Sequence, residues 1–115
     1  MNDDAKLNLG GEEREVTILF SDIRGFTSMS ENMNPESVVS TLNEYFSDMI
    51  DIVFKHNGTL DKIIGDELMI VYGAPISAED DTQRAVTTAV EMQEQITRLN
   101  KERKKRKDAP IMVGI

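Results

Sequence analysis

Leu60-Asp-Lys-Ile-Ile-Gly-Asp66-Glu-Leu-Met-Ile-Val-Tyr72 holds two apolar runs, 60–64 and 68–72, on either side of Gly65-Asp66-Glu67. Two short apolar runs around a glycine-containing turn read as a β-hairpin. Upstream, Asn34-Pro35-Glu36 is a helix start, with Asn as N-cap and Pro at the first helical position. Val38, Leu42, Tyr45, Phe46, Met49, Val53 and Phe54 follow at spacings that mark one buried stripe on one helix face. Asn57-Gly58 closes that helix and delivers the chain to the hairpin. Further upstream, Val16-Thr-Ile-Leu-Phe-Ser21 is a nearly continuous apolar run, which suits a central strand covered on both faces. Residues 23–33 read as a loop or short helical turn.

Downstream, Gly73-Ala-Pro75 breaks the chain, and Ser77-Ala-Glu-Asp80 resembles a capping box with Asp in the fourth place. Ala85, Ala89, Met92, Ile96 and Leu99 then mark a second amphipathic helix that runs toward a basic segment. Pro110 stops it, and Ile111-Met-Val-Gly-Ile115 begins another strand. The order β-α-β-β-α-β predicts an α+β, ferredoxin-like sandwich: an antiparallel sheet with both helices on one face. Residues 1–13, polar and with Gly10-Gly11, read as a linker or tail, which leaves 14–115 as the folded unit.

Composition bounds the function. At 115 residues, with 39% apolar side chains, the chain supports one core. It has no Cys, which excludes disulfides and thiolate metal sites. No apolar run reaches the roughly 18–20 residues that cross a bilayer, and Met1-Asn-Asp-Asp4 does not resemble a signal peptide, so a cytoplasmic protein is expected. A net charge of −8 argues against a general nucleic-acid binder. Six of the thirteen basic residues nevertheless crowd into Lys101-Glu-Arg-Lys-Lys-Arg-Lys107. That run reads first as a solvated helix end complementing the helix dipole, and second as a membrane or nucleic-acid patch. His56 reads as a lone exposed histidine without a role, the seven methionines mostly as core, and Tyr45 and Tyr72 as packed aromatics.

Two aspartates carry the chemistry. Asp22 ends the first strand, and Asp66 opens the third from the hairpin turn. Taken singly, Asp22 reads as a turn cap and Asp66 as a hairpin residue. In a ferredoxin-like sheet the first and third strands are antiparallel neighbours, so the two carboxylates approach one another. A converging pair favours a divalent cation, Mg²⁺ or Mn²⁺, with the remaining coordination open to phosphate oxygens. Arg24-Gly25-Phe26-Thr27 follows Asp22 closely, and its backbone N–H groups are placed to cradle phosphate, with glycine allowing close approach. Lys62, inside an otherwise apolar strand, is either an edge lysine that reaches solvent or a ligand-binding residue.

Phe20-Ser-Asp-Ile-Arg-Gly-Phe-Thr27 resembles the first metal motif of the class III nucleotide cyclases, and Asp61-Lys-Ile-Ile-Gly-Asp66 resembles their second. The resemblance spans roughly residues 14–115. It implies a truncated nucleotide cyclase fold and an enzyme converting ATP to 3′,5′-cyclic AMP and pyrophosphate in intracellular signalling. It assigns two divalent ions per site to Asp22, Asp66 and the Ile23 carbonyl, and phosphate binding to Gly25, Phe26 and Thr27. Lys62 matches the purine-selecting lysine of adenylate cyclases, commonly Glu in guanylate cyclases. The resemblance also implies a homodimer with sites at the interface, so that Lys62 serves a site whose aspartates belong to the other protomer. An upstream sensor or membrane domain would fit residues 1–13.

The family's Asn and Arg that stabilise the transition state fall after the strand beginning near Ile111, where no residue of this chain matches them. The expectation is therefore a cyclase fragment, inactive by itself. The alternatives are a metal-nucleotide binding or dimerisation module without turnover, and a guanylate or diguanylate cyclase. Gly65-Asp66-Glu67-Leu68 resembles the diguanylate cyclase hairpin, although Ile64 replaces one of that signature's two glycines.

Overall fold

The computed structural model describes residues 13–115; the expected tail, apart from its last residue, lies outside the described residues. The elements are β1 (Thr17–Ile23), α1 (Phe26–Glu31), α2 (Pro35–Lys55), β2 (Thr59–Ile64), β3 (Glu67–Tyr72), α3 (Asp81–Lys105) and β4 (Val113–Gly114). The four strands form one antiparallel sheet in the order β2-β3-β1-β4. This is the expected α+β, ferredoxin-like arrangement, with the short helix α1 in the segment read as a loop or short helical turn.

The hairpin is tighter than expected. Ile64 pairs with Glu67, so the turn proper is Gly65-Asp66. β3 alternates half-buried and buried residues along its whole length, as a strand with one covered face must. Its buried set, Leu68, Ile70 and Tyr72, meets Leu19 and Ile23 of β1. Tyr45, Met49 and Val53 of α2 and Ala85, Met92, Ile96 and Leu99 of α3 close the core from above. The helices run antiparallel, tied by Glu44–Arg103 at 2.6 Å, Gln95 to Asp48 at 3.0 Å and Lys55–Glu91 at 3.0 Å. Asn34 caps α2 by accepting from the Ser37 N–H at 2.8 Å, as its sequence foretold.

Four expectations are corrected. First, β1 is covered on one face only: Ile18 and Phe20 are each 46% exposed, while Leu19, Ser21 and Ile23 are buried. A continuous apolar run does not separate two covered faces from one covered and one apolar open face. Second, the Ser77–Asp80 capping box does not form. Ser77 donates to the Gly73 carbonyl, the α3 N-cap falls on Asp80 with no side-chain cap bond, and Asp81 instead accepts from the Ala78 N–H of the preceding turn at 3.1 Å.

Third, the basic run is not uniformly solvated. α3 carries Arg103 inward to 3% exposure, where Nε donates to the Ala109 carbonyl at 2.7 Å and Nη1 to Glu44. Fourth, His56 is half-buried, its Nε2 3.1 Å from Glu91 Oε1. Met49 and Met92 are core as expected, but Met112 is exposed, and so is Phe54, the last residue of the expected buried stripe on α2. No described helix is long and apolar enough to cross a membrane.

Candidate metal and phosphate site

The β1–β3 ladder places the two aspartates. It runs from Thr17↔Tyr72 to Ser21↔Leu68. One residue beyond its last pair on β1 is Asp22, and two residues before it on β3 is Asp66. The Asp66 carboxylate reaches across the open end, and its Oδ2 accepts the Ile23 N–H at 2.9 Å. Asp22 and Asp66 line one cleft of about 400 Å³ with Ile23, Gly25, Phe26, Thr27, Ser28, Ile64 and Glu67. The structure therefore brings Asp22, Ile23, Gly25, Phe26, Thr27 and Asp66 together. Glu67, a third carboxylate on the same rim, carried no signal beyond its place in the hairpin.

The electrostatics of this cleft are unbalanced. Asp22 Oδ1 is enclosed and has no hydrogen-bond partner among the described residues. Its nearest cation is the Arg24 guanidinium, with Nε at 3.6 Å, and that group is 66% exposed. An enclosed carboxylate oxygen without a hydrogen-bond partner loses hydration that a solvent-screened guanidinium offsets only in part. A divalent cation would supply the missing charge and coordination, and the Ile23 carbonyl is a hard oxygen of the same type. Among the described residues no three or more acidic or histidine side chains gather to hold a metal. Two carboxylates and a carbonyl supply fewer protein ligands than an all-protein cage, which suits an ion completed by water and phosphate oxygens.

Local backbone explains the rest of the cleft. Gly25 adopts φ 66 and ψ 23, a left-handed conformation that costs little only for glycine, and it turns the chain from β1 into α1. The expected cradle is smaller than the sequence suggested. The Arg24 N–H is committed to the Met112 carbonyl at 2.7 Å, and that of Ile23 to Asp66. Gly25, Phe26 and Thr27 remain, at a helix start whose first N–H groups lack intrahelical partners. Gly114, opposite Asp22 in β4, lies beneath the Arg24 guanidinium, and any Cβ there would collide with it.

Lys62 stands apart from this cleft. It is exposed on β2, the edge strand, 3.6 Å from Asp61 Oδ2. The register slips between Leu60 and Lys62, which makes Asp61 the extra residue of a bulge. Lys62 pairs with Met69, which pairs with Phe20. Strand alternation therefore puts Lys62 and Asp22 on the same open face of the sheet, two strands apart.

Beneath the site lies a contact that the sequence did not reveal. The Tyr45 hydroxyl, fully buried, hydrogen-bonds Ser21 Oγ, the residue before Asp22. Burial pushes the Tyr45 phenol up to about 12; the Ser21 bond opposes this, and Asp22, Asp66 and Glu67 add to it.

Residues 11–115 match the family model described as the adenylate and guanylate cyclase catalytic domain. The chain belongs to this family. Adenylate cyclase 1 of Rhizobium meliloti (strain 1021) is 34% identical over 87 residues, 76% of this chain and 13% of that protein. The solved guanylyl cyclase Cya2 is 45% identical, with a TM-score of 0.84, over 90% of this chain and 53% of that one. The adenylyl cyclase CyaB from P. aeruginosa is 33% identical, with a TM-score of 0.82, over 87% and 53%. The chain thus spans about half of these solved cyclases and a much smaller part of the curated relative. In this cyclase-family chain, the cleft lies where its two metal-motif resemblances meet.

Proposed function

We propose that this chain is the metal-binding half of an adenylate cyclase domain, which converts ATP to 3′,5′-cyclic AMP and pyrophosphate. The observation that carries the reading is Asp22 Oδ1, enclosed in a cleft shared with Asp66 beside the Gly25 turn, with no hydrogen-bond partner among the described residues and only the exposed Arg24 guanidinium near it. In this reaction the ribose 3′-oxygen bonds to the α-phosphorus, the bond from that phosphorus to the bridging oxygen breaks, and the hydroxyl proton is released. Asp22, Asp66 and the Ile23 carbonyl would hold two ions, Mg²⁺ or Mn²⁺. Bound ions would neutralise the triphosphate and ease deprotonation of the 3′-hydroxyl. The chain's own part is positional. The Ile23 N–H holds the Asp66 carboxylate; the Gly25 turn would let a phosphate approach the backbone, and the N–H groups of Phe26 and Thr27 would donate to its oxygens.

Lys62 supports ATP over GTP, because an ammonium donates to the adenine ring nitrogen and opposes the donor edge of guanine. Its distance from its own chain's cleft accords with a homodimer in which it serves the partner's aspartates. One observation favours a second reading, GTP as substrate: Cya2, 45% identical, is a guanylyl cyclase. Assaying the full-length cyclase domain with ATP and GTP side by side separates the two. Preference for ATP, relaxed or inverted by Lys62→Glu, supports the adenylate reading. Preference for GTP in the wild type refutes it.

A further inference from the structure

The β1–β3 ladder ends at Ser21↔Leu68, and beyond it Asp22 and Ile23 pair only with the two residues of β4. Ser21 is therefore the last point at which β3 fixes this strand before its ligand-bearing end. From the helix side, Ser21 meets a single hydroxyl, that of Tyr45 on α2. Both residues are sealed from solvent, Ser21 at 1% and Tyr45 at 0% exposure. We propose that Tyr45, acting through Ser21, is a positioning residue for the cation site. Its hydroxyl fixes the strand end from which the Asp22 carboxylate and the Ile23 N–H project. This inference rests on the reading of the Asp22–Asp66 cleft as a divalent-cation site.

The physical argument is one of satisfaction in a dry interior. Each hydroxyl is the other's partner, and removing the phenol oxygen leaves Ser21 enclosed without one. The Ser21 side chain recovers a partner only by moving, and Asp22 and Ile23 move with it. A cation site tolerates ligand displacements of only about 0.5 Å before affinity falls. The Ile23 N–H in turn orients Asp66, so one displaced strand end disturbs both carboxylates.

The fold supplies its own control. Tyr72 is equally enclosed, at 1% exposure, and its hydroxyl bonds Thr88 Oγ1 at 2.5 Å. It pairs with Thr17, at the far end of the same ladder. Loss of a buried tyrosine hydroxyl is thus testable both near the site and away from it, in one sheet.

The test is Mn²⁺ binding to the 115-residue chain, followed through the electron paramagnetic resonance of free Mn²⁺, with urea midpoints measured in parallel. Tyr45→Phe and Ser21→Ala are each expected to weaken Mn²⁺ by about tenfold. The double variant should bind no more weakly than either single one, since both remove the same bond. Tyr72→Phe should lose comparable stability and bind Mn²⁺ as the wild type does. Wild-type affinity in Tyr45→Phe overturns the inference, as does equal weakening by Tyr72→Phe. Ser21→Ala, a smaller change, decides the matter if Tyr45→Phe does not fold. Asp22→Ala distinguishes the underlying reading: if it also binds Mn²⁺ normally, the cleft is not a cation site and the positioning role falls with it.

Discussion

The Asp66 carboxylate closes the open end of the β1–β3 ladder by accepting the N–H of Ile23 at 2.9 Å. A side chain stands where the strand pairing has stopped, and it ties the hairpin turn to the residue after Asp22. One carboxylate oxygen of Asp66 is thereby spent on backbone, whereas Asp22 Oδ1 has no hydrogen-bond partner among the described residues.

That division of labour separates two substitutions at Asp66. Asp66→Asn retains a side-chain oxygen able to accept from Ile23, but not the charge. It should keep near-native stability, within about 1 kcal/mol, while Mn²⁺ affinity drops at least tenfold. Asp66→Ala should lose both. Urea denaturation beside Mn²⁺ titration of the two variants checks this.

Arg24 is the nearest cation to the orphaned oxygen, at 3.6 Å, and it competes with any metal for that charge. Because the guanidinium is well exposed, solvent screens the competition. Arg24→Ala should therefore raise Mn²⁺ affinity slightly, by about twofold, with an effect that shrinks as salt increases. Titrations at low and high ionic strength measure it.

Arg103 offers a prediction about stability alone. It is buried, paired to Glu44 at 2.6 Å and bonded to the Ala109 carbonyl at 2.7 Å. Arg103→Ala removes both contacts and should cost about 3 kcal/mol, the lower end for a broken buried pair, because Arg106 also holds Glu44 at 2.7 Å. Arg103→Lys should not restore it, since an ammonium cannot reproduce the two-pronged geometry. Metal affinity should not change in either variant.

Tyr45 gives a pH dependence with a definite sign. Its phenol is raised to about 12 in the folded chain, chiefly by burial, from its ordinary 10.0. The folded state therefore keeps its proton where the unfolded state gives it up. The stability this confers is complete below pH 10.0 and is lost as pH rises toward about 12. A shift of this size corresponds to about 2–3 kcal/mol. Tyr72 is shifted in the same direction, again first by burial, so Tyr45→Phe should flatten the alkaline fall in stability without abolishing it. Urea midpoints across this range, for wild type and Tyr45→Phe, test the sign and the size.

Much of the sheet was legible because local signals agreed with it. Asn34-Pro35 and Asn57-Gly58 bracket α2 within a residue or two of its ends, and the Gly65-Asp66 turn fixes the hairpin. The meeting of Asp22 with Asp66 followed from topology alone. What stayed hidden depended on contacts between distant segments. The Tyr45–Ser21 bond joins a residue that reads only as a packed aromatic to one that reads only as the end of a strand. Arg103 turns inward because Glu44 and the Ala109 carbonyl happen to face it, which a run of basic residues does not disclose. The open apolar face of β1 was misread because Ile18 and Phe20 look the same in sequence whether covered or bare.

The proposed function stands on Asp22 and Asp66 forming a divalent-cation site for a nucleoside triphosphate. Calorimetric titration of the 115-residue chain with ATP, with and without Mn²⁺, tests it most directly, run in parallel on Asp22→Ala. The wild-type chain should show saturable, Mn²⁺-dependent binding, with a loss of at least tenfold in Asp22→Ala. Equal affinity in the two proteins, or binding indifferent to Mn²⁺, would contradict it.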